Sequence, residues 1–152
     1  MNAVAEKEKS VVDHAVRRRV LFVCTGNTCR SPMAAALCRH LHKDTDADSA
    51  GISAVPLAPI AENAVKALKS RGVPSTEAND YEHHTAKRVT PELLAWADAV
   101  YALSTSHYMT LCLAFPEYAE KLYLLGEIAD PYGGTEADYE EALRDIEQAL
   151  NS

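Results

Sequence analysis

The chain reads VLFVCTGNTCRSP at residues 20–32, close to its start, and this segment indicates how the first elements of the fold follow one another. Its first four residues form a continuous apolar run, rich in β-branched and aromatic side chains, which is typical of a strand buried on both faces of a parallel sheet. Residues 33–42 follow the pattern of a helix, with Ser31 as the expected N-cap and Pro32 in the first turn. The stretch therefore predicts a strand, a short loop and a helix in direct succession.

The rest of the chain continues this alternation of strand and helix patterns. Apolar runs and amphipathic spacing predict strands at 49–51, 99–103 and 122–125, and helices at 62–71, from 90 onward, at 105–115 and after a cap at Thr135. The polar segment 79–87 is predicted to be a loop. Strands that alternate with helices form right-handed βαβ units. The predicted fold class is α/β, a single-domain open parallel sheet of about four strands with helices on both faces.

Several apolar residues on the predicted helices are expected to fill the core. The helix after Thr135 carries an apolar stripe at helical spacing, and two other helices each contribute core candidates. The stripe consists of Tyr139, Leu143, Ile146 and Leu150, and the other candidates are Cys38, Leu93, Leu94 and Trp96.

Length and charge limit the possible partners. A chain of 152 residues fits one domain, and we expect an N-terminal extension, flexible or partly helical, at 1–18 and the folded domain at 19–152. The formal net charge of −7 argues against binding nucleic acid or an anionic membrane, because phosphate groups would repel the protein. No apolar run approaches about 18 residues, so we expect a cytoplasmic protein.

The cysteines are expected to be thiols rather than disulfides or zinc ligands. The chain has four, and a reducing compartment keeps such residues reduced. None forms a C-x2-C pair, which argues against a structural zinc site.

The loop between the first strand and helix has the composition of an anion site. Gly26 permits a tight turn and Asn27 tolerates left-handed backbone angles, so that successive amide N–H groups can point inward at the start of a helix. Arg30 adds a planar fork that matches two phosphate oxygens. The loop therefore predicts a phosphate-binding site after the first strand. No Gly-Lys-Ser/Thr sequence follows the strand, which excludes a Walker A site.

Cys24, at the end of the predicted strand, faces the same point as these donors. A helix N-terminus and an arginine both favour the thiolate, and Ser31 is placed to donate a hydrogen bond to it. A lone cysteine at a strand end is usually a core residue. Here the strand, the glycine, the Ser-Pro pair and the helix agree, and they favour a nucleophile aimed at phosphorus.

The stretch at 20–32 resembles the signature of the low-molecular-weight protein tyrosine phosphatase family. Further similarity is found in Ser49-Ala50-Gly51, in TPELL and ADAVYALS between 90 and 104, and in Asp130-Pro131-Tyr132, so that the resemblance covers roughly 20–150. It implies a cysteinyl-phosphate intermediate with Cys24 as nucleophile and Arg30 with the loop amides as phosphate clamp. It also implies that Asp130 is the general acid and then the base, and that neither a metal nor an organic cofactor is needed.

Two branches of this family differ in the amino acid that carries the phosphate. The tyrosine branch usually has Leu and Ile where this chain has Thr25 and Thr28, whereas both threonines resemble the bacterial protein arginine phosphatase branch. Tyr132 departs from that branch, where phenylalanine is expected. A threonine oxygen suits a polar guanidinium rich in N–H donors, and an isoleucine suits a phenol ring. Tyr132 is a candidate for stacking on the guanidinium.

The sequence therefore predicts a protein-phosphoarginine phosphatase acting on phosphorylated protein substrates, and we expect a monomer. The alternative is a protein tyrosine phosphatase with the same mechanism. An arsenate reductase is a less favoured alternative, because such an enzyme needs two further cysteines on a mobile segment and only Cys112 occurs there. The last alternative is a phosphate-binding module without turnover. The predicted substrate- and phosphate-binding residues are Thr25, Gly26, Asn27, Thr28, Cys29, Ser31 and Tyr132.

The remaining candidates have structural interpretations. Cys29 is expected to pack under the loop, and the resemblance implies that it can also pair with Cys24 on oxidation. The pair His83-His84 is predicted to be solvated loop. Asp98 and His107 are expected to be structural.

Overall fold

Four parallel strands form the centre of the protein. The computed structural model describes residues 17–152, and the first 16 residues of the predicted extension lie outside that range. The strands are β1 (Arg18–Cys24), β2 (Thr45–Gly51), β3 (Ala99–Ala102) and β4 (Leu122–Leu124). They are ordered β2-β1-β3-β4 in one sheet, and every pairing is parallel. The predicted open parallel sheet is confirmed, and β1 begins at Arg18, inside the range assigned to the extension.

Helices cover both faces of the sheet, as predicted. They are α1 (Arg30–Leu41), α2 (Glu62–Ser70), α3 (Pro91–Trp96), α4 (Thr105–Ala114) and α5 (Glu136–Leu150), with 3₁₀ turns at Tyr81–His83 and Pro116–Lys121. One core cluster joins β1 to α1, α2 and α5, and the other joins β1 to α3 and α4. Successive β1 side chains alternate between the two clusters, Val20 and Phe22 in the first and Leu21 and Val23 in the second, all with no exposed surface. Each such side chain contributes about 1.5–3 kcal/mol by burial, which holds β1 in the middle of the molecule.

The predicted stripe of α5 is buried along its whole length, and Thr135 caps this helix in a capping box with Asp138. The predicted cap of α1 is wrong. The N-cap of α1 is Cys29, because its carbonyl already accepts the backbone N–H of Met33 at 3.1 Å. Ser31 lies inside the first turn with its side chain fully buried, and its hydroxyl is used by the loop instead of by the helix end.

Two other expectations need correction in detail. The segment 79–87 contains the 3₁₀ turn, and its Tyr81 is among the largest fully buried side chains, with its hydroxyl donating to the carbonyl of Val73 at 2.5 Å. Trp96 is only partly buried and lies under the guanidinium of Arg19, 5.9 Å from the ring centroid. Leu94 and Cys38 are fully buried core residues, as predicted.

No helix within residues 17–152 is long and apolar enough to span a membrane.

The end of β2 supports the loop that follows β1. Gly51 pairs with Cys24, and its backbone N–H donates to the carbonyl of Lys87 at 2.9 Å. A Cβ atom at Gly51 would lie 2.5 Å from the carbonyl oxygen of Thr25 and 3.0 Å from the backbone nitrogen of Asn27. The loop after β1 can therefore pack against β2 only because this position has no side chain.

We expect Gly51→Ala to lower the free energy of unfolding by about 2 kcal/mol, since the methyl group must push the loop backbone aside. Gly126→Ala is the matched control, because the nearest atom to its added Cβ lies at an ordinary 3.7 Å. Urea unfolding of both variants measures the difference. Equal stabilities for the two variants would show that the loop accommodates the methyl group without strain.

Candidate active site

A pocket of about 310 Å³ opens at the carboxyl end of β1, where α/β sheets usually bind ligands. Its lining comprises the whole loop from Cys24 to Arg30, together with Ser53, Val55, Ala58, Asp130 and Tyr132. The structure thus brings nearly all the predicted site residues into one cavity. Ser31 is the exception, because it is buried beneath the loop.

Ser31 holds the sulfur of Cys24 in place. Its Oγ lies 2.9 Å from the Sγ of Cys24 and accepts an N–H from the side-chain amide of Asn27 at 2.8 Å. The serine hydroxyl also has the carbonyl of Ala50 within 3.4 Å as an acceptor, so the sulfur of Cys24 lies against a serine that is held from two further sides.

Asn27 fixes the turn of the loop. It adopts a left-handed backbone with φ of 58° and is completely buried. Its side-chain amide also donates to Ser49 at 3.0 Å, and its Oδ1 accepts the backbone N–H of Lys87 at the same distance. Its carbonyl lies 2.8 Å from Nε2 of His84. All hydrogen-bonding groups on this side chain are therefore satisfied, which offsets the cost of the left-handed backbone.

Arg30 connects the loop to the segment that carries Asp130. Its Nη1 donates to the carbonyl of Ile128 at 3.0 Å, and its Nη2 lies 3.5 Å from Oδ2 of Asp130. The arginine side chain is 8% exposed and the aspartate side chain 53% exposed. A buried guanidinium thus faces the pocket from below while the carboxylate stands at its edge.

Asp130 starts a turn that presents Tyr132 at the mouth of the pocket. Its Oδ1 accepts the backbone N–H of Tyr132 at 3.0 Å, the hydrogen bond of an Asx turn. Tyr132 is 75% exposed, and Val55 on the opposite segment is 69% exposed. An entering side chain would therefore pass between a tyrosine ring and an aliphatic residue.

Cys29 lies behind the loop, against α5. Its Sγ is 3.3 Å from the hydroxyl of Tyr139 and 3.6 Å from Oγ1 of Thr28. Burial raises the pKa of the Cys29 thiol and also that of the Tyr139 hydroxyl. The expected packing role of Cys29 is confirmed, and its sulfur is a free thiol in this structure, like those of the other three cysteines.

Two histidines contact the loop after β1, although the sequence predicted no such contact for either of them. His83 is exposed and paired with Asp80, as expected of solvated loop, but His84 is half-buried against Asn27, and burial lowers its pKa. His107 is 4% exposed and lies 2.8 Å from Oγ1 of Thr25. These contacts join residues far apart in sequence, so the local pattern gave no signal for them.

Metal coordination finds no support at the site. Among residues 17–152, no group of three or more His, Cys, Asp or Glu side chains is placed to hold a metal ion. The guanidinium of Arg30 in the pocket suits a phosphate rather than a cation.

Comparison with known proteins agrees with this geometry. A protein-arginine-phosphatase from Geobacillus stearothermophilus is 34% identical over 142 residues, 88% of this chain and 91% of the relative. The low molecular weight protein-tyrosine-phosphatase Wzb of Salmonella typhi is 33% identical over 147 residues, 88% of this chain and 95% of the relative. The solved structure of the arginine phosphatase YwlE from Geobacillus stearothermophilus superposes with a TM-score of 0.79 at 34% identity, covering 88% of each chain.

The family description "Low molecular weight phosphotyrosine protein phosphatase" matches residues 19–152, almost the whole part of the chain that the structure describes. The match includes the loop after β1, the strands that flank it and the segment that carries Asp130. This chain belongs to the low molecular weight phosphotyrosine protein phosphatase family, a family of phosphoprotein phosphatases.

Proposed function

We propose that this protein removes phosphate from phosphoarginine in proteins, with Cys24 as the nucleophile and Asp130 as the proton donor. The observation that carries the proposal is the hydroxyl group that Thr28 presents in the wall of the pocket. The similarity to relatives named protein-arginine-phosphatase supports the same substrate.

The first chemical step is attack by the Cys24 thiolate on phosphorus. The phosphoryl oxygens would lie against the loop amides at the start of α1 and against the guanidinium of Arg30. Charge that develops on these oxygens meets donors already in place, which lowers the barrier. As the S–P bond forms, the P–N bond to the guanidine breaks.

The departing guanidine is strongly basic and must take up a proton as it leaves. Asp130 stands at the edge of the pocket, within 3.5 Å of Arg30, and its carboxyl group would supply that proton. The resulting carboxylate then accepts a proton from a water molecule that attacks the phosphocysteine. The P–S bond breaks, phosphate is released and the Cys24 thiolate is restored.

Thr28 is proposed to select the guanidinium group. It is half-buried in the pocket wall, and its Oγ1 has a 3.6 Å contact to the sulfur of Cys29. That contact is long and weak, so the threonine oxygen stays available to accept an N–H from a guanidinium. A phenol ring offers no such donor at this position.

A protein tyrosine phosphatase remains the second candidate. The exposed ring of Tyr132 and the side chain of Val55 form two apolar sides at the mouth of the pocket, and both suit a flat aromatic substrate. Relatives named protein-tyrosine-phosphatase have similar identity to this chain. The catalytic steps would be the same, and only the leaving group would differ.

The compartment and the assembly are part of the proposal. The four cysteines are free thiols, which suits the reducing cytoplasm. The proposed assembly is a monomer, since the pocket of a single chain already contains Cys24, Arg30 and Asp130.

Thr28→Ile is expected to lower kcat/KM for a phosphoarginine peptide by about tenfold or more, because a hydrogen bond to a charged group is lost. The same variant is expected to hydrolyse a phosphotyrosine peptide better than the wild type. Steady-state kinetics with both peptides measure the switch. Thr28→Val keeps the shape of threonine and has a methyl group in place of the hydroxyl, so it separates the loss of the hydrogen bond from the added bulk of isoleucine. A wild-type preference for phosphotyrosine would contradict the arginine assignment and leave the phosphatase chemistry intact.

Asp130→Asn is expected to reduce kcat for a phosphoarginine peptide by about a hundredfold to ten-thousandfold, the range typical of general acid–base catalysis. The reduction is expected to be much smaller in the first step with p-nitrophenyl phosphate, whose leaving group needs no proton. Burst kinetics separate that step from hydrolysis of the intermediate. Asp145→Asn, an exposed carboxylate on α5, is the control and should behave as wild type. Equal losses with both substrates in the first step would remove Asp130 from the role of acid.

Cys24→Ser separates an enzyme from a phosphate-binding module. The variant is expected to lose almost all turnover while still binding phosphate, because Arg30 and the loop amides are unchanged. Turnover is measured by release of inorganic phosphate, and binding by calorimetry. Activity that survives the substitution would exclude Cys24 as the nucleophile.

A further inference from the structure

Three side chains connect the buried start of α4 to the wall of the pocket. Nε2 of His107 lies 2.8 Å from Oγ1 of Thr25, and Nδ1 lies 2.8 Å from Oγ of Ser104. His107 is 4% exposed and Ser104 is 6% exposed, whereas Thr25 is exposed and lines the pocket. The hydroxyl of Thr25 is therefore in contact with a network that starts in the protein interior.

The protons in this network can be assigned from the donors and acceptors. Ser104 is the N-cap of α4, and its Oγ accepts the backbone N–H of His107 at 3.3 Å. A buried hydroxyl also needs an acceptor for its own proton, and Nδ1 of His107 is in reach at 2.8 Å. Ser104 therefore donates to Nδ1, which leaves the ring proton on Nε2.

This assignment requires a neutral imidazole ring. Burial, and after it the positive charge of Arg30, lowers the pKa of His107 from 6.5 to about 4. The carboxylates of Asp130 and Glu127 act in the opposite direction without cancelling this effect. The ring consequently carries one proton at neutral pH.

The Nε2–H group then donates to Oγ1 of Thr25. The hydroxyl of Thr25 does not need to give its own proton to the ring, and that proton is available to the pocket. A hydroxyl that accepts one hydrogen bond is polarised into a better donor for another. In the opposite tautomer the hydroxyl of Thr25 would donate its proton to Nε2, and only its lone pairs would face the pocket.

We propose that His107 is a positioning residue which, together with Ser104, sets the hydroxyl of Thr25 as a hydrogen-bond donor to the phosphoryl group of the substrate. The proposal rests on the proposed function for the identity of that substrate, since it adds a donor to the same pocket. A purely structural histidine would satisfy Thr25 equally well with either tautomer. The tautomer is therefore the property that distinguishes the two roles.

Nitrogen NMR of the full chain, labelled with ¹⁵N in its histidines, reads the tautomer directly. At pH 7 we expect His107 to be protonated at Nε2 alone, with the signals assigned by their loss in His107→Gln. Ser104→Ala removes the donor to Nδ1 and is expected to give a mixture of tautomers. Ser106→Ala, an exposed neighbour on α4, should leave the spectrum unchanged. Protonation at Nδ1 in the wild type, alone or together with Nε2, would overturn the proposal.

Kinetics test whether the network acts through Thr25. Thr25→Val and His107→Leu are each expected to lower kcat/KM by about tenfold, the effect of one lost hydrogen bond to a charged group. The double variant should be no slower than the slower single variant, because both changes remove the same donor. His107→Gln keeps an N–H that reaches Thr25 and should retain more activity than His107→Leu. Losses that multiply to about a hundredfold in the double variant would show two independent effects and contradict the proposal.

The substrate and the network can fail separately. If the wild type prefers phosphotyrosine, the two single variants and the double variant are measured with a phosphotyrosine peptide instead. Thr25 is proposed to contact the phosphoryl group, which both substrates share. The assignment of arginine then fails while the role of His107 is still decided by the tautomer and by the coupling. Thermal unfolding of each variant identifies any loss of activity that comes from a loss of folded protein.

Discussion

The left-handed backbone of Asn27 is the constraint on which the site depends. This residue lies in the loop between β1 and α1 with a φ of 58°, a conformation of the kind that lets successive backbone amides face one anion. A non-glycine residue in this conformation is costly, and here the cost is offset by contacts from Ser31, Ser49, Lys87 and His84. These contacts come from three parts of the fold, α1, β2 and the segment 79–87. The shape of the loop is therefore a product of the whole domain, including the absent side chain of Gly51 beneath it.

Arg30 links the loop after β1 to the segment around Asp130, which completes the pocket. The loop after β1 and the segment around Asp130 are about a hundred residues apart, and the guanidinium contacts both through Ile128 and Asp130. The parallel direction of the strands makes this possible, because the carboxyl ends of β1 and β4, the strands that precede the two segments, lie at the same end of the sheet. One buried guanidinium therefore links the loop that carries Cys24 to the segment that carries Asp130, the proposed nucleophile and proton donor.

Local sequence patterns predicted the strands and helices. The roles of individual side chains at the site depend on contacts between distant residues, which local patterns do not show. The apolar run of β1 and the stripe of α5 carry their periods in adjacent residues, and both are buried as expected. The cap of α1 was misassigned because Ser31 is a good N-cap in isolation, while its hydroxyl is claimed by Cys24 and Asn27. His107 was interpreted as structural because its partner Thr25 is 82 residues away. A sequence pattern describes the spacing of residues within one segment. It cannot predict these contacts, because they join residues of different segments.

The two cysteines of the seven-residue loop from Cys24 to Arg30 lie in different environments and therefore have different chemical properties. Cys29 is packed against the hydroxyl of Tyr139, and burial raises the pKa of its thiol, so it stays protonated at neutral pH. Cys24 lies at the start of the loop, with the Ser31 hydroxyl 2.9 Å from its sulfur. An anion is stabilised where donors converge and destabilised where it is only buried. The Ser31 hydroxyl therefore supports one sulfur from beneath the loop, whereas the loop amides and Arg30 are the groups proposed to meet the charge that passes to the phosphoryl oxygens during transfer.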